Sequence, residues 1–202
     1  LIPLLLAGAA LLAYWLPLTF GLFLMGYLVA TAAYTLRLKR MLAIDVVVLA
    51  GLYSLRVLAG AEAIESQVSE YLVAFVMFFF LALALVKRHT ELAHTIDEGG
   101  ARLLNRSYRA EDLAVMLPMA AAAGFAALTI FARFVGSEEI VQSYSHPERL
   151  WYVAPILIHW LIRLIFLANR KKLDSDPVLF ALTDRQSQLC GLATLGILLW
   201  AI

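Results

Sequence analysis

"YLVAFVMFFFLALALVKRHTEL" runs from Tyr71 to Leu92. Its apolar part, Tyr71 to Val86, passes without a break into Lys87 and Arg88, and Glu91 follows three positions after the arginine. A membrane-spanning helix needs about 20 mostly apolar residues. This run and its flanks supply one, and it ends in a tight cluster of opposite charges. On a helix, Lys87 and Glu91 are four apart and Arg88 and Glu91 three apart, so each pair can meet on one face. One reading is a pair of basic residues reaching toward the membrane interface from a helix end, tied by a salt bridge. The other is a site for an anionic ligand.

The rest of the chain fits the membrane setting. Of its 202 residues, 63% are hydrophobic and 15% charged, against roughly 45–50% and about 25% in soluble domains. Apolar runs of spanning length occur at about 1–15, 17–36, 42–62, 70–87, 113–135, 150–168 and 186–202. No ten-residue alternation of the kind found in β-barrels is present. The expected fold is therefore all-α, a polytopic transmembrane helix bundle with seven spans. The chain starts at Leu1 with no basic segment before its first apolar run, so a signal peptide is not expected. It reads as one domain over 1–202 whose N-terminal part is missing. Cys190 is the single cysteine, which excludes an internal disulfide. A net charge of +1 gives no reason to expect a nucleic-acid partner.

The loops sort by sign. Arg37, Lys39 and Arg40 lie between spans two and three. Lys87, Arg88, Arg102, Arg106 and Arg109 lie between four and five. Arg170, Lys171, Lys172 and Arg185 lie between six and seven. The opposite loops carry Glu62, Glu65, Glu70, Glu138, Glu139 and Glu148. The positive-inside rule puts the basic loops in the cytoplasm. Lysine and arginine make charge-assisted bonds to phosphate, and the acidic residues among them suit a divalent metal held between carboxylate and phosphate. A polyphosphorylated substrate docking at the cytoplasmic mouth fits this mixture. Within the spans, Arg56 marks a partner or a pathway, Asp45 lies on its helical face three turns away, and His159 and Arg163 share a face of span six.

"YTLRLKRMLAIDVVVLAGLYSLRVLAGAEAI" (34–64), "LALVKRHTEL" (83–92), "RLLNRSYRAEDL" (102–113) and "DPVLFALTDR" (176–185) together resemble the UbiA superfamily of membrane prenyltransferases. The chain is most similar to its decaprenyl-phosphate phosphoribosyltransferase branch. "SHPERLW", "HWLIRLIFLANR" and "DSDPVLFALTDR" are similar to bacterial members with an additional N-terminal HAD-type phosphatase domain. The resemblance spans essentially the whole chain, with the blocks in family order. It implies a nine-helix bundle around a central cavity, of which this chain would hold helices three to nine. It also implies a bacterial inner-membrane enzyme that joins a phosphoribosyl group from phosphoribosyl pyrophosphate to a polyprenyl phosphate, releasing pyrophosphate, with Mg2+ as cofactor. A homo-oligomer or a larger membrane complex is compatible with it.

Carried over position by position, Tyr34, Lys39 and Arg40 match the family's Y-x-x-x-x-K-R loop, and Asp45 the aspartate that opens the next helix. Lys87, Arg88 and Glu91 match K-R-x-x-E, Arg102 and Tyr108 the arginine and tyrosine after it, and Asp176, Asp184 and Arg185 the D-P and D-R elements. The resemblance implies phosphate binding by Tyr34, Lys39, Arg40, Lys87, Arg88, Arg102, Tyr108 and Arg185. It makes Asp45 and Glu91 the catalytic candidates, with Asp176 and Asp184 as candidate metal ligands. The family's first aspartate-rich motif, N-D-x-x-D-x-x-x-D, is absent from this sequence. Two alternatives stay open: an aromatic prenyltransferase of quinone or pigment synthesis, and a non-catalytic membrane subunit.

Overall fold

The computed structural model describes residues 18–202 apart from 67, 104, 105, 174 and 175. The expected first span, 1–15, lies outside these residues. The described elements are helical, and the only β pairing among the described residues is an isolated antiparallel bridge between Arg102 and Arg109. The helices are α1 (Leu18–Leu36), α2 (Ile44–Ala63), α3 (Glu70–Asp97), α4 (Leu113–Val135), the short α5 (Glu138–Ser143), α6 (Val153–Asn169), α7 (Pro177–Thr183) and α8 (Arg185–Ala201). Short 3-10 turns lead into α2, α4 and α6.

Five of these segments are long and apolar enough to cross a membrane: α1, α2, α3, and α4 and α6 with the turns that precede them. This is a helical membrane protein. The expected last span also forms a helix, but α8 has 17 residues. At 1.5 Å per residue it reaches about 26 Å, short of the ~30 Å apolar core of a bilayer.

The central post is α3. Ser69 caps its start, its hydroxyl accepting from the Leu72 amide at 3.3 Å. The helix does not stop at the charged cluster, as the apolar run alone suggested, but continues ten residues past Lys87 to Asp97. The physical reason is that "KRHTELAHTID" contains no proline or glycine, and its Arg88–Glu91 pair supports a helix. Gly99, at φ 86°, then provides the left-handed residue that ends it.

Most of the packing of α3 is against α4, then α2. Small residues permit the approach: Ala82, Ala120 and Ala127 are fully buried. Gly124 on α4 faces Leu161 on α6 so closely that an added Cβ would lie 2.3 Å from a leucine methyl. Pro118 interrupts the hydrogen bonding of α4, which membrane helices tolerate where neighbours re-satisfy the backbone. Phe79 of α3 stacks on Trp160 of α6 at 5.8 Å. Pro177 opens α7, with the Asp176 carboxylate accepting from the Val178 and Leu179 amides.

Candidate functional site

The basic loops meet at one end of the bundle. The meeting begins at Ala43, which adopts φ 63° just before α2. That left-handed turn is strained for alanine. It lets α2 start at Ile44, with Asp45 in the first turn, where a carboxylate complements the helix dipole.

Asp45 is fully buried, and Arg88 is 1% exposed. Arg88 Nε donates to Asp45 Oδ2 at 2.5 Å, and Nη2 donates to Tyr34 Oη at 2.9 Å. Nη1 donates to Glu91 one turn on. Arg106 Nη1 donates to Asp45 Oδ1 at 2.6 Å, and Tyr34 Oη donates to the same oxygen at 2.8 Å. Two guanidinium groups, two carboxylates and a phenol thus form a closed knot that joins α1, α2, α3 and the 106–109 segment. Burying charge is costly unless every group is paired and hydrogen-bonded, and here they are.

Three further ion pairs tie other segments of the bundle together. Lys87 Nζ lies 2.6 Å from Asp176 Oδ2, with the two side chains 24% and 30% exposed. Burial pushes the Asp176 carboxyl up, but the Lys87 bond and two α7 amides outweigh it and leave it below the usual aspartate value. Arg163 holds Asp184 through two bonds of 2.7 and 3.0 Å. That bond is the main reason the Asp184 carboxyl falls to about 2, helped by the Ser187 amide and hydroxyl. Lys171 meets Asp97 at 2.5 Å. Ser187 also accepts from Trp160 Nε1 at 3.0 Å. Trp160 and Ser187 line an apolar groove of about 680 Å³ between α3, α6 and α8, together with Phe79, Leu157 and Leu195.

The structure therefore brings Tyr34, Asp45, Arg88 and Glu91 into one knot, with Lys87 and Asp176 paired beside it. Lys39 is half-buried, and Arg40, Arg102 and Arg185 are exposed; their side chains have no partner among the described residues. Tyr108 is buried, and its hydroxyl has no hydrogen-bond partner among the described residues. Among the described residues no three histidine, cysteine or acidic side chains gather as metal ligands. Asp176 and Asp184 are each committed to a cation and a helix cap. In this arrangement both carboxylates are engaged by cations of the chain itself.

Sequence reasoning passed over Arg106, which is central to the knot. Its block, "RLLNRSYRAEDL", offers three arginines at similar spacing and nothing to single it out. It placed Asp45 and Arg56 on one helical face, too far apart for a direct pair, and the two do not meet. Instead, Arg56 donates to Tyr27 Oη at 3.0 and 2.5 Å and lies over the Tyr27 and Tyr53 rings. His159 is exposed and does not share the Arg163 pair.

No family model matches the sequence. The chain is 35% identical over 166 residues to a Sinorhizobium fredii protein described as uncharacterized, y4nM, covering 82% of this chain and 32% of that protein. It is 29% identical over 169 residues to nodulation protein NoeC of Azorhizobium caulinodans, covering 83% and 55%. A more distant similarity, 23% over 196 residues, covers 95% of this chain and 61% of the decaprenyl-phosphate phosphoribosyltransferase of Mycolicibacterium smegmatis. The chain thus spans between about a third and three fifths of the length of these relatives.

Proposed function

We propose that this chain is part of a UbiA-type transferase of a bacterial inner membrane that moves a phosphoribosyl group from phosphoribosyl pyrophosphate to a polyprenyl phosphate. The observation that carries the reading is the convergence of basic and acidic side chains from four chain segments at one end of the bundle, next to an apolar groove. The similarity to a decaprenyl-phosphate phosphoribosyltransferase over 95% of the chain supports it. The basic end would face the cytoplasm.

In this reaction an oxygen of the polyprenyl phosphate attacks C1 of the ribose. The bond from C1 to the pyrophosphate oxygen breaks, and pyrophosphate leaves with the electron pair. Fixed positive charge at the departing oxygens lowers the barrier. Lys87 is the residue suited to this, because its ammonium is accessible and can exchange a carboxylate for a phosphate. Arg88 has no free donor geometry for a ligand of that size and serves as a positioning residue. It holds α1 and α2 against α3 through Tyr34 and Asp45, and Asp45 and Glu91 hold it. The apolar groove would take the prenyl chain. Magnesium would supply charge neutralisation of the pyrophosphate, and Asp176, once Lys87 turns to phosphate, is the carboxylate that would hold it.

The test uses the full-length protein in nanodiscs with radiolabelled phosphoribosyl pyrophosphate, a polyprenyl phosphate and magnesium. Label is expected in the lipid phase, and Lys87→Ala is expected to remove at least nine tenths of it. Absence of label, with folded protein and a working control enzyme, would overturn the reading.

A further inference from the structure

Two tyrosines of α1 meet charged side chains of the bundle at two depths. Tyr27 and Tyr34 are two helical turns apart and share a face of α1, as Arg56 and Asp45 share a face of α2. At the knot, Tyr34 Oη accepts from Arg88 Nη2 and Arg106 Nη1 and donates to Asp45 Oδ1. Deeper in the bundle, Tyr27 Oη accepts from Arg56 Nε and Nη2. There, however, no carboxylate joins the pair among the described residues. Neither the Tyr27 phenol proton nor Arg56 Nη1 has an acceptor among them.

This deeper pair stands in the apolar interior of the membrane. Tyr27 is nine residues from either end of α1, about 14 Å of helix each way, and half of a bilayer's hydrocarbon core is about 15 Å. Arg56 is exposed at this depth. The Tyr27 and Tyr53 rings lie 5.1 and 5.0 Å from its guanidinium carbon. Their faces ease a cation in an apolar setting but do not neutralise it. A charge so deep in a membrane is costly, and as a rule it faces a partner.

The 202 residues offer no anion at that depth. Acidic residues of the spanning helices stand in first or last turns, apart from Glu91, which lies past the apolar part of α3 and is held by Arg88. The others belong to segments between spans, and residues 1–17 contain no aspartate or glutamate. A second copy therefore brings no carboxylate to Arg56, and a two-fold contact through this face would oppose two arginines. Lipid phosphates lie outside the hydrocarbon core, and Arg56 is turned to Tyr27 at mid-depth. The chemistry left is a carboxylate carried into the membrane on a helix. There is room for one: α1 has no buried residue and packs chiefly against α2. The similar proteins also have chain to supply it, since the matched part is only 32% to 61% of their length.

We propose that Arg56 and Tyr27 dock a membrane-spanning helix of the full-length polypeptide that lies outside residues 1–202, through an aspartate or glutamate at mid-depth on that helix. The carboxylate accepts from Arg56 Nη1 and from Tyr27 Oη, as Asp45 accepts from Arg88 and Tyr34 at the knot. Charge complementarity selects this occupant over an uncharged helix. The contact would fasten α1 from the side that α2 does not cover. Arg56 is about 16 Å along α2 from Asp45, so the docking does not depend on the transfer reaction.

Cross-linking of the full-length protein in the membrane tests this. Gly60 lies one turn from Arg56 on the same face of α2, is exposed, and has open space where a side chain would begin. A photoreactive benzoylphenylalanine at position 60 should attach to a peptide of the same polypeptide outside residues 1–202, from an apolar stretch containing an aspartate or glutamate. Attachment to a different protein, to a stretch with no acidic residue, to lipid alone, or to nothing would overturn the proposal. Melting in detergent supplies a second arm that does not use the cross-linker. Arg56→Gln should lower the melting temperature by roughly 4 °C or more. Replacing the cross-linked acid by its amide should do the same, and the double variant should lose no more than either single one, because each removes the same pair. Additive losses, or an unchanged melting temperature in Arg56→Gln, would also overturn it.

Discussion

Lys87 and Arg88 are neighbours in the chain with opposite surroundings. Arg88 is sealed in the knot, 1% exposed, against an Asp45 that is fully buried. Lys87 points to a different side of α3 and holds Asp176 at a site where both partners keep about a quarter of their surface. Two basic residues at one helix level thus divide the work. A sealed pair fixes the arrangement of four chain segments, and an open pair remains free to exchange partners.

The sharpest way to break this contrast is Arg88→Ala. It leaves Asp45 buried without its main counter-charge, which costs about 3–5 kcal/mol in comparable sites. Thermal unfolding of the full-length protein in detergent should show a large drop, and a wild-type melting curve would mean that Arg88 is not the pin described here. Gly124→Val provides a packing reference of intermediate size. A side chain there collides with Leu161, and overpacking of this kind costs about 1–3 kcal/mol. If Arg88→Ala costs less than this substitution, the knot is weaker than ordinary packing.

Acid separates the pairs in another way. The Asp184 carboxyl is held at about 2, below its ordinary 3.8. A group with a depressed folded pKa contributes stability above its unfolded value and loses it as pH falls through the folded one. The Arg163–Asp184 contribution should therefore persist down to about pH 4 and vanish between there and about pH 2. Arg163→Gln should flatten the melting temperature across that interval, and a slope that survives in the variant would place the titration elsewhere.

At the small end stands Lys87→Gln. A partly exposed ion pair contributes about 0–1 kcal/mol, so the melting temperature should barely move while lipid labelling falls. Loss of both together would join Lys87 to the structural class. Smallest of all, Ala43→Gly should stabilise slightly or leave stability unchanged: glycine adopts φ 63° without the left-handed penalty alanine carries, and its own loss of chain freedom, about 0.5–1 kcal/mol, offsets most of that gain. A clear loss in the same melting assay would show that the alanine methyl packs usefully against its neighbours.

The helical membrane fold was legible because apolar runs of spanning length leave few other solutions. The start of α7 follows local chemistry as well: Asp176 caps it and Pro177 takes its first position. Pairing was legible only within one helix. The Arg88–Glu91 pair follows from spacing and is present, whereas the equally well-spaced Lys87–Glu91 pair is not, because Lys87 meets Asp176 instead. Asp45 paired with Arg88 and Arg106, forty and sixty positions away in round figures, and not with the arginine on its own helix. Such contacts depend on how each helix is rotated about its axis, and that is set by packing across the bundle. The end of α3 was misjudged because hydrophobicity stops at Val86 while helix propensity does not.

That mismatch has a consequence for where chemistry can happen. Only the first two thirds of α3 are apolar, and its last ten residues rise about 15 Å beyond them. A headgroup layer adds only about 5–8 Å on each side of the apolar core. The helix therefore carries Glu91 through that layer and lifts Asp97 and the loop that follows beyond it. A phosphorylated lipid would meet Glu91 without being pulled out of the membrane, and a water-soluble partner would meet Asp97 without entering it.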